Sequence, residues 1–250
     1  MTINVAAYFQ EVDQMPWGKL FYQLLWDQLE ELTEKQSTNL RILDFGAGFC
    51  KTADHLAQAG HIVTAYEPNS KLASRRYQNA EYRFIGGDLP AFLEAVAGKQ
   101  FDFILLHNVL EYITDRDEIL LKLWDHLAPG GCISLVKHNP RGRIMLNAVL
   151  RDDPQRALAE LHGVVGQSVN FGQILVYPNE WLWEWIRHHQ GALVADYGIR
   201  MFYGLSQNSE VKFTDQWQKE MYQLENECGT DPGFREIAMF RHFGIVKTSH

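Results

Sequence analysis

The chain has 250 residues, of which 46% are hydrophobic and 22% charged, and its formal net charge is -8 at pH 7. This length can bury a sizeable core in one large or two small domains, and the composition excludes an intrinsically disordered protein. The acidic balance argues against broad, salt-driven binding of nucleic acid, although it leaves room for a local basic patch. The three cysteines, Cys50, Cys132 and Cys228, are far apart, so their spacing predicts neither a metal site nor a disulfide framework.

The N-terminal segment lacks the basic region and apolar core of a signal peptide, and no apolar run approaches the length of a membrane span. We therefore expect a cytoplasmic protein without membrane contact.

Strands and helices are predicted in alternation along most of the chain. Leucines at helical spacing predict an amphipathic helix over 17–32, within an N-terminal helical region at 1–37. Short apolar runs then predict strands at 40–45, 61–67, 82–87, 101–107 and 132–137, and Pro129, Gly130 and Gly131 predict a turn before the last of these. This alternation predicts right-handed βαβ units, and hence a parallel sheet with helices on both faces.

The regular alternation of strands and helices ends after Lys137. Residues 138–178 are too many for a simple crossover, and they predict an inserted cap with one or two helices. A helix over 179–191, a strand over 192–202, a helix over 208–228 and a strand over 238–248 follow, so an antiparallel hairpin is expected to close the sheet. In the first of these helices Trp181 and Trp185 lie at helical spacing, which favours a core face over a base-stacking platform. We expect one domain over 1–250.

In an open α/β sheet, ligands bind beyond the carboxyl ends of the strands. The first such end carries Asp44, Gly46, Ala47 and Gly48, where the glycines allow a tight turn and the close approach of a ligand. The alternative is a tight β–α turn with no ligand. Glu67, followed by Pro68, ends the second strand and can accept hydrogen bonds from ribose hydroxyls, unless it is an ordinary surface glutamate.

Two further strand ends carry polar residues. Asp88 and Leu89 follow the third strand, where they can meet the amino group and the ring of an adenine. Asp88 is equally suited to cap the next helix. His107 and Asn108 follow the fourth strand and would flank the reactive end of a ligand, whereas the alternative for His107 is a buried, hydrogen-bonded histidine.

The glycine loop does not favour a dinucleotide. Binding of a pyrophosphate favours a third glycine for close packing of the helix on the strand, and Cys50 and Thr52 do not supply it. S-adenosyl-L-methionine has no phosphate, and Asp44 could receive its ammonium group. The residues at the strand ends therefore fit this cofactor better than NAD.

Four stretches between residues 40 and 137 carry a resemblance to a known family: LDFGAGFCKTADHLAQAGHIVTAYEP, FIGGDL, FDFILLHNVLEYI and LAPGGCISL. In this order they resemble the class I S-adenosylmethionine-dependent methyltransferases. The resemblance implies a Rossmann-like seven-stranded sheet with helices on both faces and an antiparallel last strand.

Outer stretches such as WGKLFYQLLWDQLEEL, HNPRGRIMLNAVL, YGIRMFYGL and MFRHFGIVK resemble one member family, the bacterial tRNA 5-carboxymethoxyuridine methyltransferases. These enzymes methylate the carboxylate of a modified wobble uridine, so the resemblance implies tRNA as a partner. One position departs from that family: Phe21 occupies the position at which the family has an arginine that binds the carboxylate of the cofactor. Lys19 and Lys51 are the candidates for that role here.

The acceptor decides which side chains the reaction needs. A carboxylate is ionised at neutral pH and needs a cation to place it, for which Arg200, Arg141 and Arg143 are candidates, with Asn139 to orient it. A hydroxyl or amine would call for a base, such as His107 or His138.

Four functions stay open: a tRNA methyltransferase, a methyltransferase for a small metabolite, a non-catalytic cofactor-binding regulator, and an NAD oxidoreductase. The cap is either a lid or a dimer contact, and the protein is expected to be a monomer or homodimer without a metal.

Overall fold

The structure is a computed structural model that describes residues 4–34, 39–164, 166–168 and 172–248. Parts of the predicted N-terminal region 1–37 and of the predicted cap 138–178 lie outside these residues. The α-helices of the described chain are α1 Val5–Gln14, α2 Pro16–Glu34, α3 Lys51–Gln58, α4 Ser70–Ala73, α5 Leu89–Ala95, α6 Arg116–Asp125, α7 Pro140–Met145, α8 Pro154–Leu161, α9 Asn179–His188, α10 Asp215–Cys228 and α11 Pro232–Arg235. The strands are β1 Arg41–Phe45, β2 Ile62–Tyr66, β3 Arg83–Ile85, β4 Phe101–His107, β5 Leu127–His138, β6 Gly166–Ser168, β7 Gly172–Ile174, β8 Gly191–Ile199 and β9 Phe240–Lys247.

Seven strands form one sheet in the order β3-β2-β1-β4-β5-β9-β8. β1 pairs in parallel with β2 and with β4, and β2 pairs in parallel with β3. The predicted Rossmann-like sheet with an antiparallel last strand is therefore confirmed. The central strands are buried because their side chains are apolar on both faces; Ile42, Leu43, Phe103 and Leu105 are each 0% exposed.

Two compact units divide the chain, and the single domain expected over 1–250 stays a prediction. The first unit comprises 1–29, 136–182 and 196–242, and the second comprises 30–135, 183–195 and 243–250. The second unit holds β1 to β4 with the helices between them. The first unit holds α1, α7, α8, the two-stranded β6-β7 sheet, α10 and α11.

The cap region contains more secondary structure than its sequence pattern indicates. α7 continues into a π-helix over Leu146–Leu150, α8 follows, and β6 pairs with β7 in antiparallel register. Two further expectations need correction. The predicted helix over 208–228 is a 3-10 turn over Val211–Phe213 followed by α10. The prediction of a turn at 129–131 is wrong, because these residues belong to β5.

No helix within the described ranges combines the length and the apolar character needed to cross a membrane.

Candidate active site

The glycine loop follows β1 in the second unit, and its backbone bonds to the end of β2. The N–H groups of Gly46 and Ala47 both donate to the carbonyl of Tyr66, each at 2.9 Å. Gly46 has φ +76, and a Cβ there would come within 2.7 Å of the Val109 side chain, so the position needs glycine twice over. Gly48 has φ +56, and a Cβ there would meet no atom within 4 Å, which leaves its backbone open to a ligand.

Glu67 ties this loop to the end of β2. Its carboxylate accepts hydrogen bonds from the N–H of Gly48 and from the N–H of Asn69, each at 2.7 Å, and the residue is 6% exposed. Burial raises the pKa of Glu67, while these two hydrogen bonds lower it. A carboxylate offers about four acceptor positions, so two remain for the hydroxyls of a ribose.

Asp44, at the end of β1, is the second buried carboxylate. It is 4% exposed, and burial together with the negative charge of Glu67 raises its pKa to about 7. The backbone N–H of Ala53 is the hydrogen bond that opposes this rise. Two like charges in a buried loop are costly, and a cationic ligand would relieve the cost.

Cys50 begins α3 with φ 55 and makes no side-chain capping bond. Burial and the charge of Asp44 raise the pKa of its thiol to about 12, so the reactive thiolate is scarce at neutral pH.

Asp88 is the N-cap of α5 and accepts the N–H of Ala91 at 3.0 Å, which confirms the capping alternative. The residue is exposed and Leu89 is half-buried, so neither is closed off from a ligand. Pro68 is also exposed. The adenine role of Asp88 and Leu89 stays a prediction.

His107 and Asn108 lie together at the end of β4. His107 Nε2 is 2.8 Å from Ser134 Oγ on β5, and burial lowers the pKa of the imidazole to about 3. Asn108 has φ 56, a conformation that few residues other than glycine adopt, and its buried Oδ1 has no hydrogen-bond partner in the described part of the chain. Buried polar atoms are rarely unsatisfied, so Asn108 Oδ1 is suited to a ligand donor.

The donor set of the second unit therefore fits S-adenosylmethionine. Asp44 suits its ammonium group and Glu67 its ribose hydroxyls, Gly48 allows close approach, and Asn108 Oδ1 can accept a hydrogen bond from the ligand. Within the described ranges, His, Cys, Asp and Glu side chains form no group of three or more able to hold a metal ion.

The candidate catalytic residues lie in the first unit. Arg200 follows β8 with φ 62, and its guanidinium carbon lies 5.1 Å from the ring centre of Tyr203, 5.5 Å from Trp17 and 5.8 Å from Phe240. Its Nε is buried without a hydrogen-bond partner among the described residues, and burial lowers the pKa of the guanidinium. His138 packs against the same Phe240 ring, with the ring centres 4.8 Å apart.

The other candidate cations of the cap are ion-paired. Arg143 forms a two-point pair with Glu160 at 2.7 and 3.0 Å, and its side chain is 7% exposed. Arg141 pairs with Glu236. Arg200 differs from both, because among the described residues its guanidinium lies against aromatic rings and forms no ion pair, although the charge of Glu225 acts on it.

Asn139 is held by backbone groups. It caps α7 through the N–H of Arg141, and its Nδ2 donates to the carbonyls of Glu236 and Ala238, each at 2.8 Å. Its amide is therefore engaged at both ends in fixing the start of α7.

Two residues near Arg200 were not foreseen from the sequence. Glu225 on α10 accepts hydrogen bonds from the backbone just after Arg200. Lys212 lies over the Tyr203 ring at 4.6 Å, and burial together with repulsion by Arg200 lowers its pKa. No local sequence motif predicts either residue, since only tertiary packing brings them close to Arg200.

A family described as a methyltransferase domain matches residues 43–133. The tRNA 5-carboxymethoxyuridine methyltransferase of Escherichia coli is 34% identical over 140 residues, which are 53% of each chain. The ubiquinone biosynthesis O-methyltransferase of Ruegeria pomeroyi is 30% identical over 118 residues, which are 45% of this chain and 48% of that one. The chain thus spans about half the length of the curated relatives it matches.

Among solved structures, the plantazolicin methyltransferase BpumL, in complex with a desmethyl analogue and S-adenosylhomocysteine, shares the fold. It has a TM-score of 0.59 at 15% identity, covering 98% of this chain and 89% of the other. The matched domain and the shared fold agree with the resemblance found in the sequence: residues 43–133 match a methyltransferase domain, and the chain has the fold of the methyltransferase BpumL.

Proposed function

We propose that the protein binds S-adenosylmethionine and transfers its methyl group to the carboxylate of a 5-carboxymethoxyuridine in tRNA. The observation that carries the acceptor class is the half-buried Arg200, whose buried Nε has no hydrogen-bond partner and which forms no ion pair among the described residues. A buried donor without an acceptor is costly, and an acceptor carboxylate would compensate it. The nucleoside itself is proposed from the name of the Escherichia coli relative.

The cofactor role falls to the loop of the second unit. Bound S-adenosylmethionine supplies a methyl group that its sulfonium already activates. Glu67 would accept from the ribose hydroxyls, and Asp44 would receive the ammonium group. Asp88 and Leu89 would meet the adenine beside Pro68, and Gly46, Ala47 and Gly48 would give the backbone room for the methionine part. His107 and Asn108 would flank the reactive end.

The acceptor role needs no base if the acceptor is a carboxylate. Burial lowers the pKa of His107 to about 3, so its imidazole is a weak base at neutral pH; a carboxylate acceptor does not need one. Arg200 would hold the carboxylate by charge-assisted hydrogen bonds, and His138 would lie beside it on the Phe240 ring. Asn139 would act by holding the backbone of α7.

A second candidate is a methyltransferase for a small acidic metabolite. The net charge of -8 favours it, because tRNA-binding proteins commonly present a basic face. The ubiquinone relative likewise shows that small-molecule enzymes resemble this chain. Location in the cytoplasm and a monomeric or homodimeric state stay predictions.

The cofactor half of the proposal is tested by thermal shift. S-adenosylhomocysteine should raise the melting temperature, because a ligand that binds only the folded state stabilises it, whereas NAD should not. A shift with NAD alone would remove the cofactor assignment.

The acceptor half is tested by mass spectrometry of tRNA nucleosides from a strain that lacks the gene. The methyl ester of 5-carboxymethoxyuridine should be depleted and its free acid should accumulate. An unchanged level of the ester, with S-adenosylhomocysteine still bound in vitro, would favour the metabolite candidate.

A further inference from the structure

The turn after β8 gathers three successive backbone donors on one carboxylate. Arg200 has φ 62, and the N–H groups of Met201, Phe202 and Tyr203 all donate to Glu225, at 2.7, 2.9 and 2.9 Å. Successive N–H groups that converge in this way form an anion-binding nest. The nest fixes the backbone from which the Arg200 side chain departs.

The side chain of Glu225 is fixed by the same hydrogen bonds that fix the turn. It is 0% exposed; its Oε2 accepts from Met201, and its Oε1 accepts from Phe202 and Tyr203. Burial raises the pKa of Glu225, while the three hydrogen bonds and the charge of Arg200 lower it. A buried carboxylate of this kind is retained only where its bonds compensate for the lost water.

The side chain of Arg200 is surrounded by aromatic rings. Its guanidinium lies among the rings of Trp17, Tyr203 and Phe240, and its buried Nε–H has no acceptor in the described part of the chain. The backbone turn is therefore the element that sets where this donor lies, because Arg200 forms no ion pair within the described ranges.

We propose that Glu225 is a positioning residue for the acceptor: it holds the 200–203 turn, and through it Arg200, in the direction that receives a carboxylate. The inference rests on the proposed function for the identity of the ligand. It does not rest on it for the coupling between Glu225 and Arg200, which can be measured without turnover.

The test compares two variants on α10. Glu225→Gln keeps the size of the side chain, but it turns one acceptor oxygen into an amide NH₂ that cannot bond a backbone N–H. Tyr222→Phe is the matched control, because it removes the hydrogen bond from Tyr222 to Asp27 and leaves Glu225 in place. The Arg200 Nε–H resonance is assigned by its loss in Arg200→Lys. It should shift or broaden in Glu225→Gln and stay unchanged in Tyr222→Phe.

Turnover supplies the second readout. Glu225→Gln should raise KM for tRNA about tenfold, the loss expected for one misdirected charged hydrogen bond, and leave the Kd of S-adenosylhomocysteine unchanged. In the double variant it should add little to the loss caused by Arg200→Lys, since both act through one contact. If Glu225→Gln does not fold, Glu225→Asp replaces it, with a smaller expected rise in KM.

An unchanged Arg200 resonance in the Glu225 variant overturns the inference, and so do losses that add in the double variant. Absence of tRNA methylation by the wild-type protein overturns the proposed function instead, and the resonance then decides the role of Glu225 alone.

Discussion

Each unit places two like charges near one another, and the sign of the pair differs between the units. In the second unit, the charge of Glu67 contributes to raising the pKa of Asp44, because the two carboxylates repel each other. In the first unit, the charge of Arg200 contributes to lowering the pKa of Lys212, because the two cations repel each other. The difference matches the two proposed ligands, since S-adenosylmethionine carries positive charge and a carboxylate acceptor carries negative charge.

Each unit also holds a left-handed turn with a buried carboxylate. Glu67 gathers the N–H groups of Gly48 and Asn69, and Glu225 gathers three N–H groups after Arg200. In the first case the left-handed residue is a glycine that clears space for a ligand. In the second case it is Arg200, the proposed acceptor-binding residue, so the turn positions a cation.

The largest expected effect is at Glu67. Glu67→Ala should weaken binding of S-adenosylhomocysteine more than about 100-fold, because it removes charged hydrogen bonds to the loop and to the ribose. Isothermal titration calorimetry measures it, with the exposed Glu81→Ala as the control. An affinity within threefold of wild type would show that the carboxylate does not hold the cofactor.

Arg200 should separate the acceptor from the cofactor. Arg200→Lys keeps the charge and loses the planar fork, so kcat/KM for tRNA should fall about 30-fold while the Kd of S-adenosylhomocysteine stays constant. Steady-state kinetics with Arg156→Lys, on the exposed side of α8, provide the comparison. Equal kcat/KM in Arg200→Lys and wild type would remove Arg200 from the site.

The cofactor affinity should depend on pH through Asp44. Because the pKa of Asp44 is raised to about 7, the carboxylate takes up a proton as pH falls below that value and loses its attraction for the ammonium group. Binding of S-adenosylhomocysteine should therefore weaken about tenfold from pH 8 to pH 6. Asp44→Asn should bind weakly at both pH values, and a variant with the full wild-type pH dependence would point to another group.

The same residue should cost stability in the absence of ligand. The folded state binds the Asp44 proton more tightly than the unfolded state, so this carboxylate lowers stability as pH rises from the ordinary carboxyl range through 7. At pH 8, Asp44→Asn should raise the melting temperature of the free protein by a few degrees, about 1–2 kcal/mol, after the Ala53 hydrogen bond is weakened. A lower melting temperature at pH 8 would contradict the charge penalty.

The smallest effect is expected at Cys50. Its thiol is buried and its pKa is raised to about 12, so Cys50→Ala should keep kcat/KM within about twofold of wild type. Kinetics and the rate of alkylation by iodoacetamide measure this, and a loss of turnover would give the thiol a role.

The sequence predicts the second unit well because its signals are local. The run FDFILLH predicts β4 at 101–107, where it is found, and the glycines, Glu67 and the Asp88 cap lie where the strand ends predict them. Pro129–Gly131 misleads, since Gly131 serves close packing and not a turn: a Cβ there would lie 2.9 Å from the carbonyls of Ala128 and Asp102.

The first unit is harder to predict because its contacts join distant segments. Arg200 can be named as a cation in GIRMF, but what separates it from the other two candidate arginines is that Arg141 pairs with Glu236 and Arg143 with Glu160. Neither pair follows from spacing. By contrast, the helical periodicity of α9 is a local signal: Trp185, in the second unit, is 5% exposed, which agrees with the predicted core face, whereas Trp181 is half-buried.

The chemistry of the methylated product decides whether the methyl group goes to a carboxylate. Purified protein would be incubated with S-adenosylmethionine labelled in its methyl group and with tRNA that carries 5-carboxymethoxyuridine. A methyl ester is hydrolysed by mild base, so the label should leave the tRNA as methanol, and Arg200→Lys should incorporate far less of it. Label that survives base on the tRNA, as methyl groups on ring or ribose atoms do, would show that the acceptor is not a carboxylate.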